Sequence, residues 1–177
     1  MMAFLAYAIL SRLAYVVYVG FALRREERYG PSGNFRRFRR RAAFVMNNDA
    51  VAFAVLCLAT RNTFRPPIPV PASIAVGAAL AIIGIGTKLW AARTLGSAAY
   101  YWQNFFEPEL AGEPVSSGPY RFVSNPMYTI GYLQTYGLAL MLRSLPGLFA
   151  SVFAQAAILT FYLLVEKPHF QRLHRSS

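Results

Sequence analysis

Asn125, Tyr128 and Glu166 are the polar side chains of this sequence best placed to do chemistry together. They bracket two apolar runs, 127 to 142 and 145 to 165, which are joined only by Arg143-Ser144. Runs with so short a connection must turn back on each other as a helical hairpin, so Glu166 arrives on the same membrane side as Asn125. Asn125 suits the cap of the first helix, and Pro126 suits its first turn, where the missing N–H costs nothing. Gly131 and Gly137 allow backbones to approach closely and leave room beside them for a small polar ligand. Taken singly, each of these residues has a plainer reading as a helix cap or a stop-transfer charge.

The chain that must position them is 56% hydrophobic and only 14% charged, with a mean hydropathy of +0.35. Soluble domains carry about 25% charged residues, so this composition defines an integral membrane protein. At 177 residues it makes a single all-α membrane domain, 1–177, with about five transmembrane helices, the last two of them the C-terminal hairpin. The net charge is +11, and sixteen of the eighteen basic residues are Arg. They gather beside apolar spans, which points to anionic lipid headgroups at an Arg-rich loop and away from nucleic acid. Cys57 is the single cysteine, so no intrachain disulfide forms and no metal site is expected. The N-terminal run has no preceding charge and no clear cleavage site, and reads as a retained membrane helix.

Five spans follow in order. The first, 2 to 23, carries Arg12 near its middle, where a charge costs about 2.5 to 3.5 kcal/mol and must face protein or water. The segment from Arg24 to Arg41 is an Arg-rich loop, cytoplasmic by the positive-inside rule, with the N-terminus outside. The second span, about 42 to 60, holds Asp49, a functional candidate by its depth, for which pairing with Arg12 is an equally good structural reading. A proline-rich connection, 61 to 71, leads to the third span, about 72 to 92, with Gly77, Gly84 and Gly86. Tyr100, Tyr101, Trp102, Phe105 and Phe106 form an interfacial aromatic cluster, followed by a cytoplasmic loop with Glu107, Glu109 and Glu113. After Glu166 the tail through Arg175 is basic and amphipathic and lies on the cytoplasmic face.

At Gly84-Ile85-Gly86, Ser124-Asn125-Pro126-Met127-Tyr128 and Glu166-Lys167-Pro168 the sequence resembles the small membrane phosphatidylethanolamine N-methyltransferases. The resemblance covers about residues 72 to 170, and it implies a cofactor-binding part of about 72–177 with the C-terminal hairpin forming the cofactor site. It implies a Gly-x-Gly in the third span, an Asn-Pro-Met-Tyr opening a hairpin and a Glu-Glu-Pro closing it. Lys167 stands where that family has its second Glu. The related isoprenylcysteine carboxyl methyltransferases have Arg-His where this chain has Ser124-Asn125, which tilts the acceptor away from a prenylcysteine. Gly-x-Gly alone is a weak signal; three motifs in order on a membrane chain of this size are a strong one.

The resemblance implies S-adenosyl-L-methionine as cofactor and a membrane lipid or lipid-like acceptor, in a bacterial inner membrane or endoplasmic reticulum. Glu166 would hold the ribose diol or methionine ammonium, and Arg121 or the helix start at Pro126 the methionine carboxylate. Tyr128 would bound the adenine or sulfonium, beside Asn125, while Gly84 and Gly86 would admit the cofactor to the third helix. A lipid ammonium must lose a proton before it takes a methyl group, and Glu166, His169 and Asp49 are the candidate acceptors. The leading reading is a phospholipid N-methyltransferase at the cytoplasmic leaflet. A prenylcysteine methyltransferase and a non-catalytic membrane subunit of the same fold are the alternatives.

Overall fold

The computed structural model of the protein describes residues 1–110 and 115–173, and every regular element among them is a helix. Glu113, His174 and Arg175 lie outside the described residues. Helices α1 (Met2–Tyr29), α2 (Phe35–Ala59), α3 (Val70–Leu95) and a C-terminal rod, Leu145–Arg172, are long and apolar enough to cross a membrane. At 1.5 Å per residue each is about 38 Å or longer, more than the roughly 30 Å of hydrocarbon to be spanned.

The Arg-rich segment, expected as a loop, is largely helix, because α1 and α2 both run on into it. The turn between them is closed from within. Glu26, buried at the end of α1, accepts hydrogen bonds from the Ser32 backbone N–H at 2.7 Å and the Ser32 hydroxyl at 2.8 Å. Pro71 sits in the first turn of α3, and Gly96, at φ 79°, ends it in a conformation that side chains resist. A single helical turn, α4 (Ser97–Tyr100), leads to Trp102, itself left-handed at φ 57°, and on to a 3₁₀ turn, Gln103–Phe105.

The run 127 to 142 departs from the expected full span. Its helical part, α5 (Leu133–Met141), has nine residues and is about 13 Å long; a 3₁₀ turn, Ile130–Tyr132, precedes it. Local polar groups satisfy the backbone of the first half and so compete with helix. Asn125 Oδ1 accepts from the Tyr128 N–H at 3.3 Å, and its carbonyl accepts from Thr129 N–H at 3.1 Å and Thr129 Oγ1 at 2.7 Å. Gln155 Nε2 reaches the Tyr128 carbonyl at 3.3 Å from the neighbouring helix. Asn125 therefore caps this turn and not the helix it was expected to start.

The reversal at Arg143-Ser144 is present, with Arg143 left-handed at φ 52°. Ser144 caps α6 (Leu145–Phe161) by accepting from the Gly147 N–H at 2.9 Å. The rod then passes through a π turn, Tyr162–Glu166, into α7 (Lys167–Leu173). Such one-turn insertions rotate the side chains beyond them and recur at functional sites. Here the turn ends on the buried Glu166.

Two packing devices hold the bundle. A core of Tyr15, Leu23, Phe38, Trp102, Tyr132 and Phe161 with their neighbours fills the end that carries Glu166; a smaller cluster around Leu56, Cys57, Ala139 and Ala150 fills the other. Between α3 and α5, glycine replaces side chains altogether. A Cβ on Gly77 would lie 2.7 Å from the Gly137 carbonyl, and one on Gly84 would fall on the backbone nitrogen of Gln134. Close backbone approach of this kind lets short helices associate where hydrophobic burial cannot drive them. Gly86 is different, since a Cβ there meets nothing within 4 Å. Gly84→Leu should therefore lose stability by at least the roughly 1 to 3 kcal/mol of ordinary overpacking, while Gly86→Leu should melt like the parent in detergent. Equal melting of both variants would contradict the α3–α5 contact.

Candidate active site

Glu166 is 5% exposed, at the end of the π turn, and two neutral donors from different parts of the chain converge on one of its oxygens. Tyr128 donates its hydroxyl to Oε1 at 2.6 Å, and the Trp102 indole N–H donates to the same atom. No cation contacts the carboxylate, and Oε2 receives no hydrogen bond among the described residues. Tyr128 is delivered by the Asn125 turn, and Trp102 by its left-handed backbone, a strain that typically costs about 1 to 3 kcal/mol and collects at functional sites.

Tyr120 lies in a 3₁₀ turn, Gly118–Arg121, within electrostatic reach of Glu166. Its hydroxyl is buried without a hydrogen-bond partner among the described residues. Burial, and then the Glu166 carboxylate, push its ionisation above the ordinary phenol value, so it remains a donor at neutral pH. A carboxylate oxygen and a buried hydroxyl that have no partner among the described residues offer hydrogen-bonding capacity to a polar ligand.

The covering segment repeats its contact one turn further along the rod. Phe105 stacks on His169 with ring centroids 3.5 Å apart, just as Trp102 binds Glu166 three residues earlier. His169, buried at 7% exposure, is more than an interfacial tail residue. Its Nδ1 lies 3.1 Å from Glu27 Oε1, and Arg172 pairs with the same carboxylate. A cavity of about 250 Å³ opens here between Glu27, Pro31, Phe105 and His169.

Asp49 stands apart from this carboxylate. It pairs with Arg12 at 2.6 Å, and Arg12 also donates to the Tyr132 hydroxyl at 2.9 Å, which is the structural reading of both buried charges. Of the remaining expected site residues, Pro126 is buried inside the turn and its carbonyl accepts from the Gly131 N–H at 2.8 Å. Arg121 is exposed at the end of the Tyr120 turn. Gly84 is occupied by α5, and Gly86 is open. Sequence reasoning missed Trp102 and Tyr120 as donors and Glu27 as the partner of His169. The aromatic cluster was visible, but only the left-handed turn at Trp102 aims one of its rings at Glu166.

Fold and site together define a multi-span helical membrane protein with a carboxylate site at one end of its last helix. The chain belongs to the phospholipid methyltransferase family, whose model matches residues 72–177. It is 33% identical over 147 residues to a phosphatidylethanolamine N-methyltransferase of Chaetomium globosum, covering 77% of this chain and 15% of that protein. It is 36% identical over 126 residues to one of Schizosaccharomyces japonicus, covering 71% and 14%. The chain thus spans about one-seventh of the length of these relatives. No solved structure matches it.

The Arg12–Asp49 pair is nearly excluded from water, with side chains 10% and 8% exposed. Asp49→Leu leaves a buried guanidinium unpaired and should cost about 3 to 5 kcal/mol, whereas Arg12→Met/Asp49→Leu together should recover most of that loss. Thermal unfolding of the single and double variants measures the difference.

Proposed function

We propose that this chain transfers a methyl group from S-adenosyl-L-methionine to the amino headgroup of a phosphatidylethanolamine-type phospholipid at the cytoplasmic leaflet. The observation that carries this reading is the buried Glu166 carboxylate, held by two neutral donors and contacted by no cation among the described residues. A carboxylate taken out of water without a counter-charge favours a cationic guest. The cofactor's ammonium and the lipid's ammonium are both cations of that kind. Similarity to the named phosphatidylethanolamine N-methyltransferases supports the same reaction and the same acceptor.

S-adenosylmethionine, when bound, supplies an electrophilic methyl group on sulfur. The protein's part is to hold and orient. Glu166 Oε2 and the Tyr120 hydroxyl would take the cofactor's ammonium and hydroxyl groups, and Tyr128 and Trp102 would keep the carboxylate in register and wall the cleft with aromatic faces. Arg121, exposed at the neighbouring turn, would face the methionine carboxylate. Gly86, open on α3, would admit the cofactor edge. For the acceptor's proton, Asp49 is tied to a permanent cation, which leaves Glu166 and His169, three residues apart on one rod. At the start of α2, Arg36, Arg37, Arg40 and Arg41 line an exposed groove of about 470 Å³ suited to anionic headgroups.

Glu166→Gln keeps the shape and removes the charge. It should weaken S-adenosylmethionine binding by about 1.5 to 3 kcal/mol, the range for hydrogen bonds to a charged group, as read by calorimetry. In a host that lacks methylated phospholipids, expression of the parent chain should produce mono-, di- or trimethylated phosphatidylethanolamine by lipid mass spectrometry. Unchanged cofactor affinity would move the site away from Glu166. Unchanged lipids in a host where the purified protein binds the cofactor would assign a different acceptor.

A further inference from the structure

Lys88 is a charge that the fold does not neutralise. It lies in spanning helix α3, one turn beyond Gly84, and it is half-buried. Its ammonium meets the face of Tyr132, 4.8 Å from the ring centroid, and makes no hydrogen bond or ion pair among the described residues. Arg12 and Asp49 are close enough to influence it, but Asp49 is already in contact with Arg12. Two cations face one carboxylate, and a positive charge is left over in a region of low dielectric.

Ordinary snorkelling does not account for this placement. A snorkelling lysine extends away from the bundle towards headgroups. Lys88 instead lies across Gly131, where an added Cβ would come within 2.7 Å of its Cγ, and the missing side chain makes room for the lysine stem. The Tyr132 hydroxyl accepts from Arg12, and its own hydrogen has no acceptor among the described residues. An ammonium and a free phenolic hydrogen therefore meet at one ring. Lys88 is seven residues from the end of α3, a rise of about 10 Å, which is near the junction of hydrocarbon and headgroup for a helix that fills the bilayer. Tyr132 is one turn from Tyr128, which binds Glu166.

We propose that Lys88, with the Tyr132 hydroxyl, holds the phosphodiester of the acceptor lipid and so brings its amino group to the Glu166 site. Arg12, fixed by Asp49, holds Tyr132 in place beneath the ammonium and adds its positive field. This assignment rests on the phospholipid acceptor proposed above.

Binding tests it without requiring turnover. Purified parent and Lys88→Met proteins in non-ionic detergent are titrated with dihexanoyl phosphatidylethanolamine, with dodecylamine as an amine that lacks phosphate, and with S-adenosylmethionine. Lys88→Met should lose at least ten-fold in affinity for the phospholipid and change less than two-fold for dodecylamine and S-adenosylmethionine. Lys88→Arg should restore most of the loss. Tyr132→Phe, which keeps the ring, should lose about three-fold for the phospholipid and gives a second measure if Lys88→Met does not fold. A loss confined to S-adenosylmethionine would make the cofactor's carboxylate the anion and overturn the proposal, as would unchanged affinity for all three ligands. A parent protein that binds phospholipid through Lys88 but transfers no methyl to it would refute the proposed reaction and leave the phosphate site standing.

Discussion

A carboxylate at the end of a spanning helix and almost wholly out of water has to be held by groups from elsewhere in the chain, and that requirement organises this molecule. Glu166 draws Trp102 from the segment after α3 and Tyr128 from the turn before α5. Each donor arrives through unusual backbone, a left-handed residue in one case and a side-chain-capped turn in the other. The π turn that ends on Glu166 is the third irregularity at the same place. Regular helices supply rigidity, while the departures from regularity converge on one oxygen atom.

The membrane character and the hairpin were legible because they are written in long-range composition. Apolar runs of helical length, a two-residue connection and an arginine excess on one side are averages over many residues, and no single contact can overturn them. Glu166 and Tyr128 were legible because their motifs bracket those runs. What could not be read was how much of 127 to 142 is helix. That depended on whether Asn125, Thr129 and, from another helix, Gln155 would take over the backbone hydrogen bonds, and tertiary partners of this kind leave no periodic trace.

Glycines illustrate the same limit. Gly84 and Gly86 sit two residues apart and look equivalent in the sequence, yet two residues is more than half a helical turn. One is pressed against Gln134 and the other faces open space. Gly131, which belonged to no motif, turns out to accommodate the stem of Lys88. A small residue marks a place where something comes close, and the partner is visible only once the helices have been packed.

Two buried acids show how charge balance separates structure from chemistry. Asp49 lies beside a guanidinium with its negative charge answered, and the pair is held in place by a third group, the Tyr132 hydroxyl. Such an arrangement fixes the register of α1 against α2. Among the described residues Glu166 has hydrogen bonds without a counter-charge, and an oxygen without a donor. Neutral donors lower the cost of burying a carboxylate but do not cancel its field, which is why the proposed reading gives Glu166 a cationic guest. Lys88, on α3, presents the mirror image, a cation with no carboxylate in contact among the described residues. A zwitterionic headgroup carries both charges a few bonds apart, so the cationic guest proposed for Glu166 and the phosphate proposed for Lys88 describe one ligand.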